Sequence, residues 1–452
     1  MLSLGPLKLT GEGLKARALR GTSFTILKIG GGRFLALLSN LVLTRFLFPE
    51  AFGMMAIVQT VLLGLTMISD SGLEQSIMRS KRGDDPDFLN TAWTVQIVRG
   101  FLLWMVTCAV ALPIANVYGE PMLALLLPVA GISAFVRGFR TTKVATEQRH
   151  MALGRLTVTE LSVQFVNLVI VAFLAWWWRS VWALSIGGVI STFLTIMLQH
   201  YALPGINNRL RWNRNAFREL FGFGKFIFMS STLGFVVNNA DKLILGAYLS
   251  LAEFGVFNIG FMLATLPLMI SKAVINAVIF PLYRMRPITE SIANRHKVLR
   301  ARRMVLAACL GIMVVMAFIG VPLIDLLYDP RYAMAGPVLV LMSFALVPLV
   351  VVESYRAVFL AAGDSKSLFL LTLFGAILQI TLVYLGVTWF GIFGVILAPA
   401  LTSLMLGPLR VYLLRPHQGW DPQADVGLHA IGFCLTGLGC WLYWDKISVL
   451  MA

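Results

Sequence analysis

Charge is the scarcest commodity in this chain: 13% of its 452 residues are charged and 58% are hydrophobic, where a soluble domain needs about a quarter charged. With a mean hydropathy of +0.82 the chain belongs in a bilayer. Acid is rarer than base, 21 Asp and Glu against 37 Lys and Arg. The excess does not point to nucleic acid, because the basic residues lie between apolar runs and not among interleaved aromatics. Cys108, Cys309, Cys434 and Cys440 all sit in apolar runs without CxxC spacing, which excludes a disulfide framework. The five histidines form no HExxH pair, so neither metal nor cofactor is expected. No GxxxxGK[ST] loop exists to cradle nucleotide phosphates, and no Ser/His/Asp, Cys/His or paired-carboxylate set stands out. An enzyme is therefore not expected, and any transport would draw on gradients. Residues 1–22 carry Lys8, Lys15, Arg17 and Arg20 but no signal-peptide core, which predicts a retained cytoplasmic tail.

What the chain has in abundance is apolar runs long enough to cross a core of about 30 Å. They predict an all-α membrane protein with helices near 23–47, 51–71, 90–115, 121–141, 156–178, 181–200, 221–249, 253–283, 303–328, 334–362, 367–389, 391–414 and 427–445. Lys and Arg collect in alternate connections, including Arg79, Lys81 and Arg82; Arg137, Arg140 and Lys143; Arg209 and Arg211; Arg295, Lys297 and Arg300; and Arg410 and Arg415. By the positive-inside rule these face the cytoplasm with the N-terminus, and the C-terminus lies outside. Leu41–Ile57, LVLTRFLFPEAFGMMAI, aligns without a gap to Leu243–Ile259, LILGAYLSLAEFGVFNI, through the Phe-Gly pairs at 52–53 and 254–255. This makes the chain a doubled unit: two parallel six-helix repeats at 23–203 and 219–415, a basic linker at 204–218, and a polar linker with an extra transmembrane helix at 416–452.

Several stretches in order carry a resemblance: RFLALLSNLVLTRFLFPEAFG, SDSGLEQSIMRS at 69–80, LNTAW at 89–93 and DKLILGAYLSLAEFGVFNIG at 241–260. The chain resembles Wzx-type polysaccharide flippases of the multidrug/oligosaccharidyl-lipid/polysaccharide (MOP) exporter superfamily over roughly residues 20 to 415. The resemblance implies a MATE-like, V-shaped pair of six-helix lobes in the bacterial inner membrane, opening a central cationic cavity alternately to either face. The implied substrate is an undecaprenyl-pyrophosphate-linked oligosaccharide for exopolysaccharide or O-antigen-type lipopolysaccharide synthesis. Implied partners are the bilayer, a polysaccharide polymerase and chain-length machinery, with no nucleic acid. Members commonly read Asp-Asn where this chain reads Asp241-Lys242, and twelve helices are the common number.

Such a substrate needs a polar path with positive charge for its pyrophosphate. Arg33 and Arg99, counted from the helix ends, lie roughly 12 to 15 Å deep, beyond easy snorkelling. With Lys242 and Lys272 they are the substrate-binding candidates. Asp241, Glu353 and Arg356 are candidates for a coupling or a structural role, Glu353 pairing with Arg356 one turn away. Lys28 and Lys225, near a helix edge, are read as snorkelling, and Trp176–Trp178 as an aromatic belt. Glycines 30–32 read as a packing face. Two alternatives stay open: a multidrug exporter of the same superfamily, whose cationic substrates call for intramembrane carboxylates, and a flippase for lipid-linked peptidoglycan precursor. A membrane polymerase or ligase would need a large external loop, and the corresponding connections here are a few residues long.

Overall fold

The computed structural model describes residues 14–451 except 71, 151, 286, 287 and 289; the side chains of 14–26, 221–230 and a few scattered positions are also outside the description. Most of the basic tail and the side chain of Lys225 therefore lie outside the described residues. Among the described residues every regular element is helical. The chain divides into two compact units, Met1–Phe235 and Val236–Ala452, and the division falls inside a helix.

Unit 1 comprises α1 Leu14–Phe46, α2 Pro49–Ile68, α3 Leu73–Arg79, α4 Pro86–Tyr118, α5 Leu123–Arg137, α6 Lys143–Arg149, α7 Leu153–Trp178, α8 Trp182–Ala202 and the first part of α9 Arg214–Tyr248. Unit 2 holds the rest of α9, α10 Leu251–Val274, α11 Phe280–Met285, α12 Ile292–Leu327, α13 Ala335–Ala345, α14 Val347–Ala362, α15 Ser365–Met405, α16 Gly407–Leu414, α17 Pro422–Leu442 and α18 Trp444–Ile447. Among the described residues eight helices are long and apolar enough to cross a membrane, nine if α13 and α14 are one bent span. That set excludes α1, α5 and α9, and counts Lys366–His417 once although Gly391, at φ 57°, breaks its helix.

The repeated hairpin closes by different chemistry in each copy. In the first, extended Phe48 leads into Pro49 at the start of α2, where a missing N–H is no loss. In the second, Ser250 and Glu253 form a capping box, the Ser250 Oγ accepting from the Glu253 N–H at 3.3 Å and the Glu253 carboxylate from the Ser250 N–H at 3.0 Å.

Several expected single helices are broken. The run expected at 253–283 passes from α10 through a π turn at Ile275–Ile279 into α11. The run at 334–362 bends by 45° between α13 and α14. Two short helices, α3 and α6, occupy stretches expected to be loops, each brief and polar enough to hide from a search for twenty-residue apolar runs.

Residues 204–213 form a strap across unit 1. The N–H groups of Arg209 and Asn213 donate to Asn90 Oδ1 (2.9 Å) and Thr91 Oγ1 (3.1 Å) on α4, and Arg211 pairs with Asp87 at 2.7 Å. Asn208 bonds Thr141 and Thr142. The first turns of α9 continue this attachment, burying Ala216 and Leu220 among Leu73, Phe88 and Leu89.

The last long helix, an appendage by its polar linker, is built into unit 2. Its Gly432 and Gly439 admit Val347 and the backbone of Ala317 so closely that a Cβ would lie within 2.7 and 2.8 Å of them. Its start is held by two ion pairs. Arg302 on α12, fully buried, donates to Asp425 at 2.7 Å and to Ser354 Oγ at 2.8 Å, with the Tyr355 ring 4.3 Å away and the Tyr355 hydroxyl also donating to Asp425. Arg303 meets both oxygens of Asp421 at 2.7 and 2.9 Å.

Candidate functional site

Each unit contains a cavity whose charged lining is three cations and two carboxylates. In unit 1 the cavity measures about 260 Å³ and lies where α2 and α5 end beside α4. Here α4 and α5 touch through glycine: a Cβ on Gly100 would lie 3.0 Å from the Gly138 Cα. That approach brings the preceding residues, Arg99 and Arg137, to the rim of one cavity, joined by Arg140, Asp70 and Glu74.

Arg99 caps a helix. Its guanidinium donates to the Thr66 carbonyl at 2.8 Å and to Ser69 Oγ at 3.1 Å, satisfying groups at the C-terminal end of α2 where a cation is also favoured by the helix dipole. It thus sits level with the end of α2. Arg140 pairs with Glu74 at 2.6 Å and reaches Gln199 at 3.3 Å. Asp70 accepts from the Gly72 N–H at 3.0 Å, at a left-handed glycine (φ 59°) that turns the chain into α3. The Arg137 guanidinium has no hydrogen bond or ion pair among the described residues. It also lines an adjoining hollow of about 410 Å³ with Gln59, Ser133 and Ser185.

In unit 2 the cavity measures about 550 Å³, and most of its wall is apolar, including Leu268, Met269, Leu346 and Leu371. It gathers four of the sequence candidates, Asp241, Lys272, Glu353 and Arg356, together with Arg410. Glu353 lies between two cations at long range, 3.9 Å from Lys272 and 4.0 Å from Arg356. It is therefore shared, where the sequence suggested a pair with Arg356 alone. Arg410 donates to the Ser403 carbonyl at 3.3 Å. Lys272 sits just before the π turn, an irregularity that often marks functional sites.

Two candidates fall elsewhere. Lys242 lies outside the cavity lining, its ammonium 5.1 Å from the centre of the Phe261 ring, a cation–π contact in place of a pair with Asp241. Successive helix residues diverge, so Asp241 alone points to the cavity. Arg33 is exposed on α1, outside both cavities. Its neighbours face α7 instead: Lys28 pairs with Glu160 at 2.6 Å, and Gly31 and Gly32 abut Leu161 and Gln164. Arg33 and Arg99 are thus not brought to one cavity. Arg137, Arg140 and Arg410 are cavity residues that their spacing alone assigns to the orientation signal. Among the described residues no group of three His, Cys, Asp or Glu could hold a metal ion.

The charged cavities sit in a fold with known relatives. A family model described as "Polysaccharide biosynthesis protein" matches residues 42–337, well over half the chain. The chain belongs to this family of polysaccharide biosynthesis proteins. It is 21% identical to an uncharacterized membrane protein in the cps region of Klebsiella pneumoniae, over 96% of this chain and 91% of that one. It is also 21% identical to the lipopolysaccharide biosynthesis protein WzxC of Escherichia coli K12, over 64% of this chain and 59% of the relative. Among solved structures it superposes on the lipid II flippase MurJ, inward closed, with a TM-score of 0.69 at 14% identity, covering 95% of this chain and 96% of MurJ. An inward-facing multidrug resistance MATE transporter of the MOP superfamily gives 0.62 at 13% identity, covering 92% and 98%. The family member described here is thus a multi-pass membrane protein, helical in every regular element among the described residues, with the fold of MOP-superfamily transporters.

Proposed function

We propose that this protein flips an undecaprenyl-pyrophosphate-linked oligosaccharide across the bacterial inner membrane, driven by a gradient, with its N-terminus cytoplasmic. The observation that carries the reading is the cation surplus in both cavities, most of all the unpartnered Arg137 beside Arg99 and Arg140. A pyrophosphate offers paired anionic oxygens that match the guanidinium fork, whereas a cationic drug would be repelled. In this reading the arginines of unit 1 take the pyrophosphate, and Lys272, Arg356 and Arg410 form a second cationic site in the apolar wall of the unit 2 cavity. Arg33, exposed on α1, and Lys242 remain second-rank candidates for the substrate path. Asp241 and Glu353 are the groups available for ion coupling. The two repeats act as lobes that alternate access, the polyprenyl tail stays in the bilayer, and the polymerase and chain-length machinery receive the product. Lipid-linked peptidoglycan precursor offers the same pyrophosphate and is the second reading; the fold shared with a lipid II flippase supports it.

The test is transport of a defined lipid-linked oligosaccharide in proteoliposomes, expressed per folded molecule. Arg137→Ala should lower it tenfold or more, since charge-assisted hydrogen bonds worth about 1.5–3 kcal/mol each are lost. Arg137→Lys should recover it only in part. Arg99→Ala should lower both transport and folded yield, because Arg99 also caps α2. Normal transport by Arg137→Ala and Arg99→Ala would overturn the reading.

A further inference from the structure

A third basic hollow, of about 660 Å³, lies away from both cavities, between the first turns of α12 and the start of α17. We propose that it holds the phosphate headgroup of an anionic phospholipid of the surrounding bilayer. Arg295, His296, Arg300 and Arg303 line it, spaced along α12 so that they fall on neighbouring faces of three successive turns. Two of the arginines are fixed in advance. Arg303 is forked onto Asp421, and Arg295 donates to the carbonyls of Gln418 and Trp420 at 3.4 and 3.2 Å. The carboxylate of Asp421 is thereby fully engaged, and it is the one anion in the lining. Arg300 and His296 have no hydrogen bond or ion pair among the described residues. The wall is thus preset and positive, with an arginine fork left over for a phosphate.

The surroundings select a lipid over a free anion. One turn past Arg300 on the same stripe, Met304 is 67% exposed, and one turn past Pro422 on α17, Val426 is 70% exposed. These residues begin the apolar, outward-facing stripes of two candidate membrane spans. A ligand with an anionic head and apolar chains meets both surfaces at once; inorganic phosphate meets only the first. Basic pockets at the ends of membrane helices bind lipid headgroups on this principle. The bound headgroup would join α12 to residues 418–423, and so hold the start of α17 where Arg302 and Arg303 need their carboxylates.

The experiment is thermal unfolding of the purified full-length protein in a neutral detergent, with phosphatidylglycerol, phosphatidylcholine of the same chains, or inorganic phosphate added. Phosphatidylglycerol should raise the midpoint by several degrees through ligand linkage, and phosphatidylcholine should not. Arg300→Ser with His296→Ser, both exposed, should unfold like the wild type without lipid and lose most of that rise; Arg300→Lys should keep part of it. Equal shifts with both lipids, a full shift in the double variant, or a shift reproduced by inorganic phosphate would each overturn the proposal. The readout needs no transport substrate, so it stands apart from the proposed function.

Discussion

The cavities of the two units share a charge inventory and differ in how the charges are held. In unit 1 the cations are close-set and mostly engaged: Arg99 by the end of α2, Arg140 by Glu74 and Gln199, leaving Arg137. In unit 2 the volume is about twice as large, 550 against 260 Å³, the wall is mainly apolar, and Glu353 reaches its cations only at 3.9 and 4.0 Å. Fixed guanidinium groups suit a small, rigid anion, because little reorganisation is needed on binding. Loosely paired charges in an apolar wall suit a larger amphiphile. The comparison teaches that counting charges does not define a site; what each charge is already bonded to decides what it can offer.

The largest effect should come from the buried latch of unit 2, which has no counterpart described in unit 1. Asp425→Ala strands the fully buried Arg302 and should cost about 3–5 kcal/mol of stability, read as a drop in the unfolding midpoint. Arg302→Met with Asp425→Ala should restore much of it; an unchanged midpoint in the single variant would show that α17 is not held there. A smaller effect separates the two cavities directly. Glu353→Gln releases two loosely held cations and should tighten binding of a soluble sugar pyrophosphate several-fold, with a steeper salt dependence. Glu74→Gln leaves Arg140 bonded to Gln199 and should change binding less. Equal responses would mean that the two cavities are equivalent.

The smallest effect concerns the cap of α15 in unit 2. Asp364 accepts from the Ser367 N–H and from His417, which hold its pKa down to about 2. A depressed carboxylate stabilises above its unfolded pKa and loses that contribution as the pH falls through the folded value. Asp364→Ala should therefore cost about 1 kcal/mol at neutral pH, and the difference from wild type should shrink as the pH drops from about 4 toward 2. A constant difference across that window, in unfolding scans, would assign the loss to something other than the carboxylate.

Much of the fold is legible because lipid demands long apolar helices, and those show plainly in one sequence. Its interruptions are less legible. The break expected between 389 and 391 does fall at Gly391, whereas the π turn after Lys272 and the bend at Leu346 lie inside runs that read as single helices. The capping box was readable, since Ser250-x-x-Glu253 is its signature. For the sites, the sequence exposes deep charges one by one and not their company. Asp241, Lys272, Glu353 and Arg356 do converge, but Arg33 and Lys242 fall outside, and Arg137 and Arg410 look like ordinary loop-side charges until helix ends are placed beside one another. The Arg302–Asp425 pair spans 123 positions. Nothing local announces it.

The strap and its neighbours also give one set of charges two consecutive lives. In the orientation proposed above, Arg140, Arg149 and Arg211 would contribute during synthesis to the basic excess that biases which way the nascent helices insert. In the finished protein the same three are bound to Glu74, Asp84 and Asp87 at 2.6, 3.2 and 2.7 Å. On that proposal, biogenesis and architecture draw on the same residues at different times. Replacing one of these arginines with lysine keeps the first role while weakening the second, whereas replacing its acidic partner disturbs the folded state and leaves the insertion signal intact.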